Sequence, residues 1–148
     1  IKASVEMMLK GYSSQEIVDW WRTREFRYRK NELMRELESE IIGARPLLMA
    51  HFHFVDIYQH HFGDKNLGNF DKDKLRKIYL EMDELAGEVK EKAEEQGYDH
   101  IIFMSDHGLP TETEHNKNAF YSSNKPLFDE KPKIYDFYDK IKNEIAEV

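Results

Sequence analysis

The chain has 148 residues, a formal charge of -7 at pH 7, and a composition that is 40% hydrophobic and 13% aromatic. That is enough apolar material for one domain with a real core, which argues against wholesale disorder, while the acidic balance disfavours a general nucleic-acid-binding role. There is no cysteine, so disulfides and thiolate metal ligands are excluded, and no apolar run approaches the roughly 20 residues that span a bilayer.

In chain order, residues 1–10 read as a short helix with Val5, Met8 and Leu9 on one side, closed by Gly11. Ser13 and Glu16 have the spacing of a capping box, in which each side chain satisfies the other's backbone amide. A long helix is expected from there to about Ile41 or Ile42, ended by Gly43 and Pro46. Its middle is basic and aromatic, from Trp20 and Trp21 through Arg22, Arg24, Arg27 and Arg29 to Lys30. Because Glu25, Glu32 and Glu36 flank that patch, it reads as an amphipathic helix with paired charges rather than as a phosphate or nucleic-acid contact.

Residues 46–55 are a nearly unbroken apolar run, expected to form a strand that ends at Asp56. The stretch 57–70 reads as a loop, and Asp71 as the N-cap of a helix of roughly 25 residues. In that helix Leu75, Ile78, Tyr79, Met82, Leu85, Ala86, Val89 and Ala93 recur at helical spacing, and Gly97 sits where a left-handed C-terminal residue belongs. A second strand is expected over 100–105, a short one over 119–122, a loop over 125–133, and a last helix from about Ile134. Strand, helix and strand in this order predict a right-handed βαβ unit with parallel strands. Both strand ends would then point the same way and bring Asp56 and Asp106 together.

Each of these ends carries carboxylate and imidazole. Asp56 is followed by His60 at i+4, and Asp106 by His107 and Gly108. Carboxylate plus imidazole suits zinc, and also manganese or iron. His115 is a further candidate, with His51, His53 and His61 in reserve. A single Asp-x-x-x-His or Asp-His-Gly carries little weight. The two together, at the ends of two strands of one unit, point to a polynuclear metal site.

Val55-Asp56-Ile57-Tyr58-Gln59-His60 and Phe103-Met104-Ser105-Asp106-His107-Gly108 resemble the metal-binding motifs of the alkaline phosphatase superfamily, closest to its type I phosphodiesterase and nucleotide pyrophosphatase branch. Glu114-His115 and the 118–124 segment are similar to the later part that brings another His ligand before a short strand, and the resemblance covers about residues 46–145. It implies an α/β fold, a three-layer α/β/α sandwich with a parallel βαβ core, of which this chain supplies part. Residues 1–45 would be a helical insert and 46–148 the carboxyl-terminal half of the domain. It implies two divalent ions, zinc first and manganese second. Asp56, His60 and His115 would hold one ion, and Asp106 and His107 would help hold the other.

The implied activity is hydrolysis of a small phosphate ester or nucleotide, by in-line displacement at phosphorus. In such enzymes a Thr or Ser nucleophile and one more Asp ligand lie towards the amino end of the domain, and no segment here matches either. The chain also opens on Ile1 rather than Met. Both features fit a carboxyl-terminal part of a longer enzyme, inactive without the missing amino-terminal half. Two other readings remain open. One is a non-catalytic domain of the same fold. The other is an amidohydrolase-like metal enzyme using His51 and His53, which alternation would put on one strand face.

Overall fold

The computed structural model describes residues 2–39, 47–63, 71–108 and 116–146. The elements in chain order are helix α1 (Lys2–Leu9), helix α2 (Ser14–Glu38), helix α3 (Phe54–Phe62), helix α4 (Lys72–Glu95), strand β1 (Ile102–Met104), strand β2 (Tyr121–Ser123) and helix α5 (Asp136–Ala146). Among the described residues no helix is long and apolar enough to cross a membrane.

Local sequence signals set the helix ends. Gly11 leaves α1 with φ 82°, and Ser13 opens α2. The Ser13 Oγ accepts the Glu16 amide, and the Glu16 carboxylate accepts the Ser13 amide at 2.8 Å. These bonds hold the Glu16 carboxyl below its ordinary pKa. The Asp71 carboxylate accepts the amides of Asp73 and Lys74 at the start of α4. At the other end Gly97, with φ 84°, turns the chain. The Tyr98 amide then reaches the Ala93 carbonyl, and the Gly97 amide the Glu94 carbonyl, which is the paired bonding of a Schellman end.

Helices α2, α3 and α4 pack on one another. One core cluster joins Leu33 and Leu37 of α2 to Ala93 of α4 and to Ile101, just before β1. The other joins Tyr58 and Phe62 of α3 to Ile78 of α4. Phe52 packs against both clusters, immediately ahead of α3. Polar contacts tie the same helices together: Arg22 to Glu81 and Lys30 to Glu88 join α2 to α4. The basic patch of α2 is thus used internally at these two positions. Arg24 lies over the Trp20 ring and Arg29 over the Tyr28 ring. The last helix is seated through an aromatic cluster of Tyr121, Phe128 and Phe137, and through His100 and Glu144, 3.0 Å apart.

The chain is mixed α and β, as expected, but the sheet differs from the expected one. Among the described residues it has two strands, and β1 pairs with β2 antiparallel, with Phe103 opposite Ser122. The expected strand over 46–55 is not formed. Residues 47–52 carry no strand pairing, and α3 begins at Phe54. The physical reason lies in how the apolar run is buried. Leu48 and Phe52 are half-buried while Leu47, Met49, Ala50 and His51 are exposed, so the run lacks the period-2 burial of a strand. Val55, Tyr58 and Phe62 then recur at helical spacing in one cluster with Ile78, and Gln59 is buried beside Tyr58. The expected loop from Ile57 is therefore helical as far as Phe62. The parallel βαβ unit does not appear among the described residues, so Asp56 stands in the first turn of a helix rather than at a strand end.

Candidate functional site

Helix α3 presents His53, Asp56 and His60 along one side, since residues three and four apart on a helix are neighbours. The carboxylate in the first turn is favoured by the partial positive charge of the helix start. Oδ1 of Asp56 lies 3.4 Å from Nε2 of His60, and Oδ2 lies 3.4 Å from Nε2 of His53. A third imidazole arrives from the turn after β1, with Nε2 of His107 at 3.6 Å from the same Oδ1. That nitrogen is also 3.6 Å from Oδ1 of Asp106. One half-buried carboxylate is thus faced by three imidazoles from two distant stretches of chain. Asp106, next to them, is mostly exposed, its side chain 77% accessible.

The turn that delivers His107 is built from backbone. Ser105 closes the β1–β2 pairing: its amide donates to the Phe120 carbonyl, and its Oγ accepts the Phe120 amide, both at 3.0 Å. The Gly108 amide donates to the Asn116 carbonyl at 2.8 Å. A Cβ on Gly108 would stand 2.5 Å from the Asn118 carbonyl oxygen, so only glycine fits there without a shift. The close approach expected of Gly108 is therefore made to the returning chain. Nδ1 of His107 lies 2.9 Å from the Gly108 carbonyl oxygen. A carbonyl only accepts, so Nδ1 carries the proton and, in the neutral ring, Nε2 keeps its lone pair. That lone pair faces the carboxylates of Asp56 and Asp106.

Helix α3 is held from below. The Tyr58 hydroxyl donates to Asp19 Oδ1 of α2 at 2.7 Å, and Arg22 lies over the Tyr58 ring, 5.1 Å from its centroid. Burial first, and then the Asp19 carboxylate, push the Tyr58 hydroxyl well above its ordinary pKa. Gln59, also buried, donates its side-chain amide to the Tyr79 hydroxyl of α4. The Phe62 carbonyl accepts the Asp71 amide at 2.9 Å.

A model of the type I phosphodiesterase / nucleotide pyrophosphatase family matches residues 3–140. The chain belongs to that family. Neither the curated proteins nor the solved structures yield a significant match. Membership carries a phosphate-ester hydrolase character, in a family that is generally metal-dependent. Four of the five residues expected as ligands, Asp56, His60, Asp106 and His107, lie within one chain of short distances centred on Asp56. His115 lies outside the described residues.

The donor set has the chemistry of a divalent-ion site. A His107 lone pair directed at two carboxylates repels them unless a proton or a cation lies between, and oxygen plus imidazole nitrogen is the ligand set of zinc or manganese. In that sense these residues fit the ion. They do not form a closed cage: among the described residues no group of three or more His, Asp or Glu side chains is gathered tightly enough to hold an ion. His51 and His53 behave otherwise than a His-x-His pair on one strand. Their rings stack with centroids 5.9 Å apart, and His53 turns to Asp56. The place of His53 beside Asp56 was missed in the sequence. The i to i+3 spacing would have shown it had 53–56 been read as helix.

Proposed function

We propose that this chain is the metal-holding part of a two-metal hydrolase of phosphate esters, with phosphodiesters and nucleotide pyrophosphates as the leading substrate class. The observation that carries this is the Asp56 carboxylate faced by His60 and His107, in a chain of this family. Asp56, His60 and His115 hold one ion, and Asp106 and His107 help hold the second. Zinc is the first choice and manganese the alternative. When bound, such ions lower the pKa of a hydroxyl or water and neutralise charge on the non-bridging phosphate oxygens.

The chain's own residues then have definite tasks. The Gly108 carbonyl keeps the His107 proton on Nδ1 and so keeps Nε2 available. The contacts of Tyr58 and Gln59 fix the height of α3, and with it the position of Asp56 and His60. The nucleophile is assigned to a segment outside these 148 residues, together with one more Asp ligand. Ser105 is a poor substitute, because its hydroxyl and amide are both engaged with Phe120. In the complete three-layer sandwich, residues 47–52 would take their place as a parallel strand beside the rest of the sheet.

The test is calorimetric titration of the chain with zinc, followed by an assay for turnover of an activated aryl phosphodiester. The expected result is zinc uptake that Asp56→Ala abolishes, with no substantial turnover by the 148 residues alone. Turnover that is lost on Asp106→Ala would show the nucleophile to be within the chain. Failure to take up zinc would leave a non-catalytic domain of the same family as the better reading.

A further inference from the structure

We infer that His53 is a positioning residue for Asp56: its ring binds one carboxylate oxygen and so directs the other to His60 and His107. The inference rests on reading Asp56 as a metal ligand. The two oxygens of Asp56 have separate neighbours. Oδ2 has Nε2 of His53 at 3.4 Å, whereas Oδ1 has the imidazoles of His60 and His107 at 3.4 and 3.6 Å. A carboxylate on a two-bond side chain can swing its plane freely. A donor on one oxygen removes that freedom, which is how outer groups commonly orient a ligating carboxylate.

His53 has no other evident task in the helix. It occupies the N-cap position of α3, yet its side chain makes no capping hydrogen bond. An imidazole is also a poor choice there, because a helix start favours negative charge and an oxygen acceptor. Its ring is steadied by stacking on His51, with an interplanar angle of 21°. What the residue offers at this point is a ring nitrogen 3.4 Å from Oδ2 of Asp56.

The test compares His53→Phe, which keeps a flat ring against His51 but has no donor, with His53→Gln, whose amide restores an N–H at similar reach. Zinc affinity is measured by chelator competition at a pH above the ordinary His range, with Asp56→Ala as reference. Far-UV circular dichroism and the visible bands of the cobalt-loaded chain serve as further readouts. The expected result is an affinity about tenfold weaker in His53→Phe, the low end for an outer-shell change because the His53 side chain is 58% exposed. His53→Gln should recover most of the loss. Helix content should stay constant, and the cobalt bands should change only in the Phe variant.

Wild-type affinity in His53→Phe, with Asp56→Ala unable to bind, would overturn the inference alone. Equal weakening in the Phe and Gln variants would overturn it too, since the donor would then be irrelevant. Undiminished binding by Asp56→Ala would instead overturn the reading of Asp56 as a ligand.

Discussion

Replacing Tyr58 with Phe removes one oxygen from beneath the candidate site and little else. The ring stays packed on Phe62, 4.5 Å between centroids, and stays under Arg22, so no cavity opens. What is lost is a 2.7 Å hydrogen bond to the Asp19 carboxylate. Bonds to a charged acceptor contribute about 1.5–3 kcal/mol. Asp19 keeps Lys74 at 3.3 Å, so its charge is not stranded, and the cost should fall at the lower end, about 1.5–2 kcal/mol. With an m-value of about 2 kcal/mol per M, the urea midpoint should drop by about 1 M.

The pH dependence adds a second check. The folded-state pKa of Tyr58 is raised, so its contribution is fully present below the ordinary tyrosine value of about 10 and is lost as pH rises through the folded value. The wild-type and Tyr58→Phe stabilities should therefore converge above pH 10 or so. Urea melts followed by circular dichroism at neutral and alkaline pH measure both. A loss below about 0.5 kcal/mol at neutral pH, or a gap that widens in alkali, would refute the claim that this bond anchors α3.

Other substitutions probe the packing. Gly108→Ala should cost about 1–3 kcal/mol in the same melts, because its Cβ meets the Asn118 carbonyl. It should also weaken zinc uptake by shifting the carbonyl that faces His107, and an unperturbed variant would show that the turn has room. Leu37→Ala removes a side chain only 2% exposed, against Leu33, Ala93 and Ile101, and should cost about 2–5 kcal/mol. A loss under about 1 kcal/mol would mean that α2 is a loosely attached insert rather than a wall of the core.

The signals that proved legible in the sequence are the local ones. Ser13 with Glu16, Asp71 and Gly97 act on amides and carbonyls a few residues away, and each is found at its expected helix end. Strand β1 was also visible as an apolar run with a polar stop. The short strand over 119–122 was visible too, as β2 shows, but its antiparallel pairing with β1 was not, since pairing is decided by residues distant in sequence. The same limit applies to residues 47–52, an apolar run that can form a strand only where a neighbouring ladder accepts it. Helix α3 was hidden because its first residues, Phe54 and Val55, continue the apolar run before it. For the site, the i to i+4 spacing of Asp56 and His60 was readable, and the two motifs were expected to converge, though through Asp56 and Asp106 at parallel strand ends rather than through His107 facing a helix. The turn of His53 towards Asp56 was not, because it depends on the helix that was missed.

Metal binding by Asp56, His60, Asp106 and His107 is what the proposed function requires. Anomalous diffraction at the zinc absorption edge, from crystals of the chain grown with zinc, tests it most directly. The expected result is anomalous density in contact with Asp56 and His60, with further density at Asp106 and His107. Density bound to His51 and His53 instead, or confined to sites away from Asp56, would contradict it.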